Sequence, residues 1–429
     1  MSIPLDRLYN FLDSISNHNL LIYRWNPHGS RNLNNLTMLK SYDKSDLWPN
    51  IPAMICHDQE PLDYNYYSES DIINFIKNSC PFTTNSPEFE IYMETSSKTA
   101  KEFMLRIIGP PSVYDRTLIL HSEKNSNEVL KYQSNEFVPV YLWSHAIIAR
   151  DWFRYAEIDP LLKNKSITKD FLVYNRAWSG VREYRLRFTE LIVNYDLAEK
   201  CKMSFSDTDQ NYHYQSHQFK NPTLSISRFD LEDFFENNLT PSSASADYAG
   251  EDYQTCGIEI VLETLFDDTR WHLTEKILRP IACGQPFILV STPGSLAYLQ
   301  SYGFQTFENI IDEDYDNIQD PAQRLVAIVD LMKSIATMPG AQKEIMYKKM
   351  QEVCEHNHKR FFSKEFQQQV ILEYQQNLNQ GITEMNNYTT GIKFQYLESK
   401  YHPQWRPSWA TLAQYERTKE LLKHSNVKS

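Results

Sequence analysis

The chain has 429 residues, of which 41% are hydrophobic, 23% charged and 13% aromatic, a composition that builds cores and excludes a disordered protein. Its 11 glycines never fall into G-x-G-x-x-G or G-x-x-x-x-G-K order, which removes the main signature of a dinucleotide oxidoreductase and of a P-loop NTPase. A net charge of −12, from 43 Lys+Arg against 55 Asp+Glu, repels polyanions as a whole and argues against a non-specific nucleic-acid coat.

Helical spacing of Leu5, Leu8, Tyr9 and Leu12 opens the chain, followed by a strand at Leu20–Trp25 and a turn at Asn26–Gly29. Strands are predicted at Ile51–Cys56, Thr117–His121 and Phe137–Trp143, with a helix near Asp71–Lys77 and an amphipathic stretch from His145 to Ile158. Residues 161–169 turn polar and basic and read as a linker. The pattern then restarts with a strand at Phe171–Tyr174, a helix at Arg182–Tyr195 and a strand at Cys201–Phe205. Asn238–Tyr253 reads as a surface loop. A βαβα module follows: strand Gly257–Glu263, helix Thr274–Cys283 with Thr274 as N-cap and Gly284 closing it, strand Pro286–Val290, and helix Pro293–Tyr302. Pro321–Gln376 is helical almost throughout, and a last helix is predicted near Trp409–Lys423. Strands alternating with helices predict an α/β fold in two halves with late helices. The boundaries expected are 1–160, 161–385 and an extension at 386–429 whose helix packs back on the first domain. A ligand is expected between the halves, beyond the carboxyl ends of the strands.

Three segments carry chemistry. Glu275 and Lys276 fall in the first turn of the helix capped by Thr274, where free N–H groups and the dipole suit a phosphate. A lysine there opposes the dipole unless an anion joins it, and Pro280 breaks the same helix's hydrogen-bond ladder. Tyr174–Arg185 reads as strand, loop and helix; Arg176 and Arg182 can grip phosphate oxygens bidentately, Gly180 admits close backbone approach, and Trp178 stands in the same loop. Arg185 and Arg187 read as a solvated helix face paired with Glu183 and Glu190. His57-Asp-Gln-Glu60 follows a strand at its carboxyl end, where Asp58 or Glu60 can serve as general base. The adjoining Asp63–Tyr67, with Tyr64, offers an aromatic, polar surface to a planar or sugar acceptor.

Other signals are weaker. Asp207–Asp209, Asp312–Asp314 and Asp314–Asp316 are D-x-D triplets in an acidic chain, and no metal is expected of them. Cys354, His356 and His358 lack a fourth zinc ligand, and Ser144-His145 and Ser216-His217 lack a nucleophile elbow. The six cysteines are scattered without a C-x-x-C pair, as reduced thiols are. No apolar stretch nears the roughly 18 residues that span a bilayer, and no leader pattern opens the chain, so a cytoplasmic location without membrane association is expected.

Val261–Phe287, with Leu273-Thr-Glu-Lys-Ile and Gly284-Gln-Pro-Phe-Ile-Leu-Val, resembles the donor-binding motif of fucosyltransferase-type GT-B enzymes, and Phe171–Phe188 is similar to the arginine-bearing segment that precedes it there. His57–Pro61, Tyr174–Gly180 and Gly303–Phe307 with Asp312–Asp316 resemble glycosyltransferase-like proteins of tailed bacteriophages, among them enzymes that glucosylate or arabinosylate hydroxymethylated or hydroxylated cytosine in phage DNA. The resemblance implies two Rossmann-like domains facing a central cleft. A nucleotide-diphosphate sugar is the implied co-substrate, with no tightly bound cofactor and no divalent metal. It places Arg176, Arg182 and Lys276 at the diphosphate, with Trp178 and Thr274 in the same donor site, and Glu275 at the ribose or sugar hydroxyls. Asp58 or Glu60 becomes the base of an inverting displacement, with His57 and Tyr64 on the acceptor side.

Modified cytosine in DNA is the leading acceptor, in the host cytoplasm if the chain is phage-encoded. Arg150–Arg187 holds nine Lys/Arg against five Asp/Glu, a net +4, and is expected as a basic strip on the cleft rim, with Trp143 or Trp178 for stacking. The rivals are a transferase acting on a surface glycan or lipid-linked sugar, and a non-catalytic phage binding protein. The sugar, the donor base and the oligomeric state stay open.

Overall fold

A computed structural model describes residues 6–18, 20–25, 36–38, 53–63, 117–134, 137–175, 177–227 and 247–400. The fold is mixed α/β with largely parallel sheets, and among the described residues no helix is long and apolar enough to cross a membrane. By contact, the chain divides into two compact units. The N-terminal unit holds Tyr9–His121, Asn127–Leu142 and Glu373–Ser429; the C-terminal unit holds Met1–Leu8, Ser122–Ser126 and Trp143–Leu372. The main division therefore falls at 142/143, earlier than the expected 160. Trp143 explains why: its indole N–H donates to Leu273 O at 2.8 Å and its ring packs on Tyr298 and Tyr302.

Strands β1 (Leu21–Trp25), β2 (Leu36–Met38), β3 (Ala53–Cys56), β4 (Thr117–His121) and β5 (Phe137–Tyr141) form the sheet of the N-terminal unit, in the order β2-β1-β3-β4-β5. Only the β1–β2 pair is antiparallel. Pro139, which cannot donate to a ladder, sits in the edge strand β5. Leu118, Ile119, Leu120, Val138 and Val140 are all buried, the near-continuous apolar pattern of strands covered on both faces.

The helices are α1 (Asp6–Ile15), α2 (Asn127–Ser134), α3 (Ser144–Trp152), α4 (Tyr184–Asn194), α5 (Gly250–Thr255), α6 (Glu275–Ala282), α7 (Ser295–Ser301), α8 (Pro321–Thr337), α9 (Gly340–Phe362) and α10 (Lys364–Lys400) among the described residues. From Glu373 onward α10 belongs to the N-terminal unit. Gln375 donates to Ile15 O at 2.7 Å and Asn377 to Tyr141 O at 3.1 Å. A Cβ on Gly381 would stand 3.1 Å from Val140 Cγ2 and 3.4 Å from Leu118 Cδ2, so glycine lets the helix settle on the sheet. Residues before 386 thus pack on this sheet, and the helix of 386–429 expected to pack back lies outside the described residues. The predicted turn at 26–29 and the helices at 71–77 and 409–423 lie outside the described residues.

In the C-terminal unit β6 (Lys169–Asn175), β7 (Cys201–Phe205), β10 (Cys256–Leu262) and β11 (Phe287–Val290) form an all-parallel sheet ordered β11-β10-β6-β7. Between them, β8 (Thr208–Asp209) and β9 (Tyr212–His213) make a hairpin whose turn, Gln210-Asn211, has φ of 50° and 68°, the type I′ combination. The chain lays β7 on one side of β6, then returns to place β10 and β11 on the other. Strand order reverses between β6 and β10, and the loops leaving their carboxyl ends diverge there.

Two sequence readings are corrected here. Residues 161–169 are no loose linker: Asp159 caps the turn at Pro160–Lys163, and the Lys165 ammonium donates to Tyr253 O at 2.8 Å. The end of the predicted loop 238–253 is helical from Gly250, because the Tyr253 ring is buried and its hydroxyl donates to Glu259 at 2.6 Å.

Candidate functional site

The junction between β10 and α6 is organised by Glu263, which is fully buried at the end of β10. Its carboxylate accepts from the Thr274 N–H at 3.0 Å, the Thr274 hydroxyl at 2.7 Å and the Thr264 N–H at 3.2 Å. Thr274 so held turns its oxygen to the Lys276 N–H as the N-cap. The Lys276 ammonium lies 3.1 Å from Thr274 Oγ1, 3.1 Å from Glu275 Oε1 and 3.4 Å from Thr264 Oγ1, with its side chain 24% exposed. A cation is therefore fixed at the positive end of a helix, where an anion stabilises it.

Glu275 points inward, and its Oε2 is 3.1 Å from His145 Nδ1. Burial alone would raise this carboxyl, but Lys276 and His145 beside it hold it well below the usual range. The rings of His145 and His272 meet edge to face, 5.5 Å between centroids. His145 Nε2 is buried without a hydrogen-bond partner, and His272 has only the Ser122 backbone beside it. Such an unpartnered group costs about 1–3 kcal/mol. Burial, then His145, Lys276 and Arg270, push His272 well below its ordinary pKa, so it is neutral. Arg270 in turn grips Asp268 at 2.7–3.0 Å and Glu123 at 3.0 Å.

The flanking junctions carry carboxylates as well. After β6, Asp209 of the β8–β9 hairpin accepts from the N–H groups of Trp178 and Ser179 at 2.9 and 2.7 Å. Burial would raise Asp209; the N–H groups of Ser179 and Trp178 and the Arg182 charge bring it down. After β11, Asp316 accepts from the Leu296 N–H at 3.1 Å, at the start of α7. The two loop ends on either side of Lys276 thus have their amides closed by internal anions.

Thr274 caps α6, and Glu275 and Lys276 fall in its first turn, as read from the chain. Arg182 lies half-buried in the turn before α4. Arg176 and Tyr64 lie outside the described residues. His57 and Asp58 are buried after β3, with Glu60 half-buried; Asp58 accepts from the Tyr9 hydroxyl and from Gln59, both at 2.9 Å. They belong to the N-terminal unit.

Several assignments change. Trp178 is fully buried against Leu186, Phe205 and Tyr214, its N–H given to Ser206 O, so no ring face is offered to a ligand. Trp143 is likewise buried. Arg185 is not on a solvated face: it is 3% exposed and donates to Ala177 O and Leu262 O at 2.6 Å and to Glu263 O at 3.1 Å, tying together the carboxyl ends of β6 and β10. Glu183 accepts from the N–H groups of Lys220 and Asn221 at 2.8 Å, while Arg187 does pair with Glu190. Three cations of the expected basic strip are taken up internally. Arg150 donates to Ser363 O and Phe362 O, and Lys165 and Arg185 are spent on carbonyls.

Asp312, like Asp209 and Asp316, caps a backbone N–H. His358 and His356 donate to Ala282 O and Gly303 O. Among the described residues no group of three or more His, Cys, Asp or Glu is disposed to hold a metal ion. Sequence reading passed over Glu263, His145 and His272; His145 was visible only as half of a Ser-His pair and His272 as a neighbour of Thr274. No family model matches this chain, and neither a curated protein nor a solved structure matches it.

Proposed function

We propose that the protein is a GT-B, nucleotide-sugar-dependent glycosyltransferase whose C-terminal unit holds the donor's diphosphate at the start of α6. One observation carries this reading: the Lys276 ammonium, held beside two threonine hydroxyls and Glu275, stands at a helix N-terminus beside a strand-order reversal. A lysine and a helix dipole aimed at the leaving diphosphate stabilise the negative charge that grows on it as the glycosidic bond breaks. Arg182 and Arg176 are assigned to the same diphosphate. The acceptor hydroxyl gives its proton to a carboxylate of the 57–60 segment, Asp58 or Glu60, in a single inverting step that needs no metal.

The acceptor is a hydroxyl, with modified cytosine in DNA as the first candidate. A glycan acceptor is the second reading, favoured by the carbonyl contacts that take up Arg150, Lys165 and Arg185 and leave less cation for phosphates. Thermal melting with a panel of nucleotide-sugars tests the core claim: one donor should raise Tm for the native chain and not for Lys276→Ala. No shift with any donor removes it. Sugar transfer to hydroxymethylcytosine DNA, but not to plain DNA or glycans, fixes the acceptor.

A further inference from the structure

Two buried imidazoles stand beside the Lys276 turn with fewer partners than their ring nitrogens can use. His145 and His272 are 4% and 1% exposed. A neutral imidazole in a finished core gives one hydrogen bond and accepts another. Here the only polar neighbours are the Ser122 backbone beside His272 and Glu275, 3.1 Å from His145 Nδ1, and His145 Nε2 is buried without a partner. The site is therefore built but chemically incomplete.

The charges facing the pair are Glu275 and Lys276 of α6, and Arg270 of the preceding loop with its partners Asp268 and Glu123. Leaving the imidazoles out of the count, these five groups carry one negative charge in excess, a poor seat for a diphosphate. A proton on the pair cancels that excess, and a second reverses it. Anion and proton must then favour each other, since each lowers the electrostatic cost of the other.

We propose that His145 and His272 complete the diphosphate subsite and that a nucleoside diphosphate binds there with net uptake of a proton from solvent onto an imidazole nitrogen. No bond of the ligand breaks in this step. The inference rests on the donor-site reading above and adds to it which side chains finish the subsite and in which protonation state.

Titration calorimetry on the full chain tests it, with UDP, GDP, ADP, CDP, TDP and inorganic pyrophosphate as probes, at pH 7 and 8 in buffers of differing ionisation enthalpy. Above pH 7 the terminal phosphate's own ionisation, with a pKa of roughly 6, is largely complete and contributes little. The expected result is proton uptake on binding and a Kd that weakens toward the limit of about tenfold per pH unit set by one linked proton. In a folded H145Q/H272Q protein the binding should be weaker and its pH dependence nearly flat.

Tight binding with no proton uptake and no pH dependence overturns this inference and leaves the donor site standing. Uptake that persists in the folded double variant overturns the assignment to these histidines. Failure of every probe to bind the native chain overturns the donor reading, and this inference with it. Should the double variant not fold, the proton count on the native chain decides alone.

Discussion

Lys276 and Thr274 share one turn but are separable by mutation. Removing the ammonium in Lys276→Ala should weaken nucleoside diphosphate binding by about 10- to 100-fold, the range for a hydrogen bond to a charged group, with little change in Tm. Thr274→Ala acts on the scaffold as well, because the same hydroxyl caps α6 and donates to buried Glu263. A stability loss of at least about 1 kcal/mol is expected in urea unfolding. Trp178→Ala separates the two readings of that residue: a buried indole lost from its cluster should cost about 3–5 kcal/mol of stability, whereas a stacking residue would cost binding alone. Residue types and spacing made Thr274, Glu275 and Lys276 legible, because a cap and its first turn are local. The burial of Trp178 and Arg185 was not, since Phe205, Tyr214 and Leu262, which surround them, arrive from elements far along the chain.

At the scale of elements, α6 is fastened to β10 by a buried pair. Arg279 donates to Glu259 at 2.7 Å and to the Tyr253 hydroxyl at 2.9 Å, which in turn donates to Glu259. Burial disfavours the guanidinium charge, but Glu259 and the tyrosines outweigh it, so Arg279 stays charged. Glu259→Gln leaves that charge without its counterion and should destabilise by about 3–5 kcal/mol in denaturant unfolding. The segment after α7 behaves differently. Burial pushes Glu313 up to about 7 and Asp316 up to about 6, against N–H groups that pull both down. Their folded values exceed the roughly 4 of an unfolded carboxyl. The folded chain thus binds protons more tightly, and this stabilisation is full below that range and lost as pH rises through 6 and 7. Glu313→Gln keeps an acceptor for the Phe307 N–H and should raise Tm at pH 8 while flattening the slope of Tm between pH 5 and 7. An unchanged slope would remove Glu313 from this account. The strand and helix sequence of the C-terminal unit followed from periodicity. The division at 142/143 did not, because Trp143 belongs with partners more than a hundred residues downstream.

For the whole molecule, the charge distribution bears on the acceptor. With a net −12 and part of the basic strip consumed internally, any DNA complex should be weak. Filter binding between 50 and 200 mM salt should give a log–log slope of only about −2 to −3, two or three phosphates' worth. A much steeper slope would mark a basic surface elsewhere and favour DNA over a glycan.

The seating of α10 on β4 and β5, with Gly381 against Val140 and Leu118, also governs the order in which the protein can be made. The sheet of the N-terminal unit leaves the ribosome first, yet the helix that covers it begins contributing only at Glu373, after Trp143–Leu372 has been synthesised. At roughly 5–20 residues per second, those roughly 230 residues take about 10–50 s. During that interval the apolar face of β4 and β5 is nascent and uncovered, the kind of surface a chaperone holds, and the unit begun first is the last to close.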